Sequence, residues 1–144
     1  WFEDLVDGSP YMLLTTKVAK SKLINLDAKE NSKLGFDKLQ SARSLIPAVT
    51  HVDDSARVQT ISKDRNGFIF DLLKAFEKVT GCPILINTSF NIRGEPIVCS
   101  PLDALKCFMN TNMDILVIEN YLLLKSKQNG QLVDENFKDF LKNG

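Results

Sequence analysis

The chain has 144 residues, 44% hydrophobic and 25% charged, with 18 basic and 18 acidic side chains giving zero formal net charge. One domain of this size buries most of its apolar surface without staples, and a neutral chain has no global field favouring nucleic acid or an anionic membrane surface. The longest apolar runs are far shorter than the ~20 residues that span a bilayer; with three cysteines and one histidine, no C-x-x-C or metal-ligand spacing arises, so the expectation is a reduced, cytoplasmic domain without a metal site of its own.

The first residues, Trp1-Phe2-Glu3-Asp4-Leu5, read as the end of a helix whose beginning lies elsewhere. A piece of a longer protein is therefore expected. Ser9-Pro10 breaks this segment, and the β-rich run from Tyr11 to Val18 predicts a strand. Ala19 to Ser44 is lysine-rich and weakly periodic, which predicts a solvated surface insertion over 19–44 with one short helix near Phe36 to Ala42. The alternation in Arg57-Val58-Gln59-Thr60-Ile61 suits a half-exposed strand.

Gly67 to Gly81 carries the clearest helical signal. Ile69, Leu72, Leu73, Phe76 and Val79 share one stripe, Phe68 and Phe70 are read with it as core, and Gly81 stands as the stop before Pro83. Ile84-Leu85-Ile86 is a short continuous apolar run, as in a central strand covered on both faces. Ser100-Pro101-Leu102-Asp103 then opens a second helix, with a capping hydroxyl, proline at the first position and an acid at the third. Its expected buried stripe is Leu102, Leu105, Phe108 and Met109. Asp114 to Ile118 and Tyr121 to Lys125 read as two strands joined at Glu119-Asn120. The tail over 126–144 is polar, with a possible amphipathic helix around Phe137, Phe140 and Leu141. The order implies an α/β (α+β) domain with a mixed sheet and helices packed on it.

Chemistry concentrates in two stretches. His51-Val52-Asp53-Asp54-Ser55-Ala56-Arg57 is a turn dense in titratable groups that leads into a strand. Asn87-Thr88-Ser89-Phe90-Asn91-Ile92-Arg93-Gly94-Glu95-Pro96 follows an apolar run and gathers amides, hydroxyls, a guanidinium and a carboxylate. Loops after strand ends of open α/β sheets form ligand crevices, short polar side chains leave backbone N–H groups open as anion nests, and arginine supplies a planar cation for phosphate. Read this way, the stretches make an oxyanion or nucleotide-phosphate site. The competing reading is an ordinary polar turn, with Arg57 merely paired to Asp53 or Asp54 and His51 a surface residue. No Ser-His-Asp triad or carboxylate pair follows from spacing.

The strings "IPAVTHVDDSARVQTI" and "LLKAFEKVTGCPILINTSFNIRGEPIVCSPLDAL" closely resemble the C-terminal domain of O-carbamoyltransferases of the NodU/CmcH type. The resemblance runs from about Ser9 to about Leu122. It implies a YrdC-like fold that condenses carbamoyl phosphate with ATP, aided by Mg2+, to carbamoyl-adenylate. A separate N-terminal domain of ATPase fold, holding iron, then passes the carbamoyl group to a hydroxyl acceptor. By position it implies Arg57 and Ser89 as catalytic residues and Asn87, Ser89, Phe90, Asn91, Arg93, His51 and Met12 as nucleotide-binding ones. The partners it implies are ATP, carbamoyl phosphate and the N-terminal domain, with neither nucleic acid nor membrane. Two departures accompany it. Asp54-Ser55 stands where the family usually has Gly-Thr, and the family's upstream basic segment with its Pro-Phe-x-Pro motif does not precede Trp1. Alternatives from other classes are a non-catalytic nucleotide-binding domain and a YrdC-like threonylcarbamoyl-adenylate synthase.

Overall fold

The structure is a computed structural model that describes residues 1–5 and 8–129, so the amphipathic segment expected around Phe137 lies outside the described residues. Contacts divide the chain into two compact units, Trp1–Ile86 and Asn87–Gly144. Helices and two small antiparallel sheets make up both, so the fold is of the mixed α/β class.

In the first unit, strand β1 (Leu14–Lys17) pairs antiparallel with β2 (Ser55–Val58), Thr15 opposite Arg57 and Lys17 opposite Ser55. The chain start is not the end of a helix. Phe2 forms an antiparallel bridge with Val18, Glu3 N–H donates to Lys17 O at 2.9 Å, and Ala19 N–H donates to Trp1 O at 2.9 Å. The edge of β1 offers unpaired backbone groups, and the first residues satisfy them. Val18, Ile46, Ala56 and Val58 form the core of this unit, with Trp1, Phe2, Leu23, Val49, Cys82 and Ile84 packed around it.

Between the strands lie two short helices, α1 (Ala28–Asn31) and α2 (Gly35–Leu39). Asp27 caps α1 by accepting from Glu30 N–H at 2.8 Å. Much of this segment is exposed, as expected of an insertion, but its end turns inward. Ser41, Arg43 and Ser44 are buried.

Arg43 is 5% exposed, and it organises the turn before β2. Its Nη1 meets Asp54 Oδ1 at 2.6 Å, while Nη2 donates to Thr50 O at 3.2 Å and His51 O at 2.7 Å. Ser44 and Thr50 hydroxyls share a 2.7 Å hydrogen bond beneath it. Asp54 itself adopts φ 63°, the left-handed region in which aspartate is among the best tolerated of the non-glycine residues. Asp54 therefore accepts a small backbone cost and gains a buried guanidinium.

Helix α3 (Gly67–Thr80) ends as the sequence predicts. Gly81 takes φ 74° and its N–H donates to Glu77 O at 2.7 Å. Its apolar stripe is less covered than expected: Phe68 and Val79 are exposed, while Phe70, Leu73 and Phe76 are half-buried. Ile84-Leu85-Ile86 is not a covered strand. It joins no ladder among the described residues, Ile84 packs at the edge of the core, and Leu85 and Ile86 are 41% and 64% exposed. A continuous apolar run has no period, so it specifies burial without specifying a partner.

In the second unit, α4 (Pro101–Asn110) is capped by Ser100 as predicted: its Oγ accepts from Asp103 N–H at 3.2 Å and donates to Asp103 Oδ2 at 2.7 Å. The buried face runs through Ala104, Cys107, Phe108 and Met109, with Leu102 exposed rather than buried. Strands β3 (Ile115–Ile118) and β4 (Tyr121–Leu124) form the expected hairpin, turned at Glu119 with φ 49°. Leu116 packs with Phe108 and Met109, and Phe90, Leu105, Met113, Ile118 and Leu123 surround them.

The last turn of α4 contains no basic residue. Lys125 supplies the missing cation from the end of β4, its Nζ donating to Phe108 O and Thr111 O and lying 4.7 Å from the Phe108 ring centroid. The helix C-terminus attracts cations, and here one ammonium joins hairpin to helix. Among the described residues no helix is long and apolar enough to cross a membrane.

Two stability outcomes follow. Arg43→Met leaves Asp54 without its partner and loosens the carbonyls of Thr50 and His51. A loss of about 2–4 kcal/mol is expected in chemical denaturation, and Asp54→Gly in the same background should recover part of it. Lys125→Met should cost about 1–3 kcal/mol, read in the same way.

Candidate functional site

The turn over 51–54 and strand β2 place four of the polar groups on one sheet face. Side chains alternate along a strand, so Ser55 and Arg57 project to the same side, and the register sets Lys17 and Thr15 across from them. Ala56 and Val58 occupy the other side and are buried in the core. The sheet is thus apolar inside and cationic outside.

Arg57 is exposed and makes no ion pair or side-chain hydrogen bond among the described residues. It does not pair with Asp53 or Asp54, because other cations have taken both. Arg43 holds Asp54, and Lys17 Nζ donates to Asp53 O at 2.6 Å and Asp53 Oδ2 at 3.2 Å. Asp53 also accepts at Oδ1 from Ser55 N–H at 3.1 Å and from Ser55 O–H at 2.7 Å. The Ser55 hydroxyl, then its backbone N–H, then Lys17 hold the Asp53 carboxyl well below the usual carboxylate range. With its carboxylates answered internally, the turn leaves the Arg57 guanidinium open to an external anion.

His51 is anchored to this same face. Its N–H donates to Ser55 O at 2.7 Å and its Nδ1 lies 2.9 Å from Ser55 Oγ. Met12 sits elsewhere in the unit, half-buried, with φ 53°. Its turn is held against the residues after β2: Gln59 Nε2 donates to Pro10 O at 2.9 Å, and Ser9 N–H donates to Thr60 Oγ1 at 2.8 Å. A left-handed backbone at a non-glycine residue has a steric cost, so Met12 is set by its neighbours.

The remaining candidates belong to the second unit, where their contacts and exposure differ. Phe90 packs against the Phe108 core, and its carbonyl accepts from Val98 N–H at 3.0 Å. Asn91 Nδ2 donates to Ile92 O at 3.1 Å and Glu95 O at 3.0 Å, closing the loop that Gly94 turns with φ 85°. Those two residues build the loop. Asn87, Ser89 and Arg93 are exposed on it, and the Ser89 hydroxyl makes no hydrogen bond among the described residues. Beyond it, Cys99 is exposed with Sγ 3.5 Å from Asp103 Oδ2, whereas Cys107 is buried and burial pushes its thiol up.

Sequence reasoning missed Arg43, which it assigned to a solvated segment, and Lys17 and Thr15, which only the strand register brings beside Arg57. Alternation within Leu14–Lys17 was the available signal for the second pair. Among the described residues no group of three or more histidine, cysteine or acidic side chains could hold a metal ion.

A pH outcome tests the turn. A carboxyl depressed in the folded state contributes stability that is present above its unfolded pKa of about 3.9 and lost as pH falls through the folded value. Asp53→Asn should therefore destabilise the chain at pH 7, and the gap from the parent should close as pH falls below about 4, followed by thermal melts.

The residues now in place can be set beside known proteins. The carbamoyltransferase C-terminus family matches residues 1–125. The uncharacterized protein sll1178 of Synechocystis sp. is 45% identical over 136 residues, 94% of this chain and 22% of that protein. Nodulation protein NolNO of Sinorhizobium fredii is 50% identical over 86 residues, 60% of this chain and 13% of that protein. Nodulation protein U of Rhizobium tropici is 53% identical over 50 residues, 35% of this chain and 9% of its own length. The chain thus spans less than a quarter of each of these relatives. With the match running through both the Arg57 strand and the Ser89 loop, the chain belongs to the carbamoyltransferase C-terminus family.

Proposed function

We propose that this chain is the part of an O-carbamoyltransferase that makes carbamoyl-adenylate from carbamoyl phosphate and ATP. A separate N-terminal domain of ATPase fold, carrying iron, would pass the carbamoyl group to a hydroxyl acceptor. The observation that carries the reading is the exposed guanidinium of Arg57 on a polar sheet face whose acidic neighbours are already neutralised by Arg43 and Lys17. Family membership supports the substrate class.

The overall chemistry is two displacements. Water converts carbamoyl phosphate to carbamate and phosphate, and a carbamate oxygen then attacks the α-phosphorus of ATP, forming the new P–O bond as pyrophosphate leaves. Phosphate charge has to be positioned and neutralised for this, more than any strong base is needed. Arg57 would meet phosphate oxygens, and the exposed hydroxyl of Ser89 and amide of Asn87 would donate to or accept from the nucleotide. Arg93 and Met12 are further lining candidates, while Phe90 and Asn91 would act by holding the loop. Magnesium would enter on the ATP phosphates, keeping several of its waters. The reading places the protein in the cytoplasm, where both substrates occur.

The test is pyrophosphate exchange into ATP by the full-length protein supplied with carbamoyl phosphate. Arg57→Ala should lower the rate about 10²-fold or more, and Ser89→Ala about tenfold, judged by the cost of losing transition-state donors. Unimpaired exchange in both variants counts against these roles. Nucleotide binding without any exchange points instead to a non-catalytic nucleotide-binding domain.

A further inference from the structure

The hydrogen bonds around Ser55 engage one ring nitrogen of the exposed His51 and leave Nε2 without a hydrogen bond among the described residues. Asp53 is an ionised acceptor, so the Ser55 hydroxyl donates its single proton to Asp53 Oδ1 at 2.7 Å. Ser55 Oγ then has only lone pairs to offer His51 Nδ1 at 2.9 Å. The imidazole must therefore donate from Nδ1, and in its neutral form it carries a bare lone pair on Nε2. His51 is exposed. Its anchor, Ser55, shares a strand face with Arg57, two positions and about 6–7 Å along β2.

That face holds donors: the Arg57 guanidinium, the Lys17 ammonium and the Thr15 hydroxyl, with Asp53 and Asp54 turned to internal partners. Its cations suit phosphate, but a guanidinium or an ammonium has no lone pair to accept from an N–H. A carboxylate could do so only by repelling the phosphate beside it. A neutral imidazole nitrogen accepts without that repulsion.

Resting on the carbamoyl-adenylate reading above, we infer that His51 Nε2 is the acceptor for the carbamoyl NH₂, distinguishing a carbamoyl from an acyl phosphate. Ser55 is the residue that positions it, relaying the Asp53 charge to the ring. No proton is transferred. The ring stays fixed in one orientation by its Ser55 hydrogen bond while Arg57 meets the phosphate.

Acetyl phosphate is the probe, because a methyl replaces the NH₂ and the phosphate is unchanged. In full-length protein, carbamoyl phosphate should bind about three- to tenfold tighter than acetyl phosphate, the range of one neutral hydrogen bond. His51→Phe should bring the ratio to about one. His51→Asn, whose amide oxygen also accepts, should restore part of it, and Ser55→Ala should lower the ratio without abolishing it. In the 144-residue chain, which has a single histidine, nitrogen-15 spectra above the ring's titration should show the Nδ1–H tautomer, and Ser55→Ala should lose it. Equal binding of the two phosphates overturns the inference and leaves the adenylate reading standing. Binding of neither overturns both. A ring that becomes doubly protonated when carbamoyl phosphate binds overturns it as well, since His51 would then be donating to phosphate.

Discussion

A guanidinium taken out of water needs acceptors, and Arg43 finds them for both Nη groups in one turn, its Nε having no hydrogen-bond partner among the described residues. The Asp54 carboxylate and the carbonyls of Thr50 and His51 surround it. Removing a buried charge's partner costs more than the pair contributes, so this contact fixes the turn far more firmly than a surface ion pair would. The consequences propagate outward. Asp54 O accepts from Val18 N–H at 2.9 Å, which ties the turn to the strand that precedes it. With Asp54 occupied, Asp53 is left to Ser55 and Lys17, Arg57 has no counter-ion among the described residues, and His51 is held by Ser55. The charges left open on this face are thus set by a buried residue beneath the turn.

The second unit rests on a comparable economy. Helix α4 ends without a basic residue, and Lys125 reaches back from the hairpin to its last carbonyls. Burial lowers the Lys125 pKa, opposed by Asp114, so the ammonium is held at a cost that its contacts must offset. Phe108 lies under the same ammonium at the centre of the core. One side chain thereby joins helix capping to hairpin packing.

Legibility in the sequence followed the range of the interaction. Gly81 ends α3, Ser100-Pro101 opens α4 and Glu119-Asn120 turns the hairpin, because each signal acts within a few residues of the structure it dictates. The start of the chain and the run at Ile84 depended on partners distant in sequence. Trp1 to Glu3 extends along Val18 instead of ending a helix, and Leu85 and Ile86 stay open. For the site, the resemblance set Arg57 and Ser89 above Phe90 and Asn91, and the contacts give that difference a physical form. The Asn91 amide closes a loop while the Ser89 hydroxyl is exposed. Nor could spacing show that Arg43 lies among buried groups while neighbouring Lys29 and Lys33 do not.

The cysteines have a practical side. Cys107 is buried, Cys82 is half-buried against the first core and Cys99 is exposed. A thiol reagent under native conditions would therefore reach Cys99 first, directly after the Ser89 loop and one residue before the cap of α4. A fluorophore there would sit between the Ser89 loop and the start of α4, beside the proposed nucleotide contacts, without any engineered residue in the loop itself.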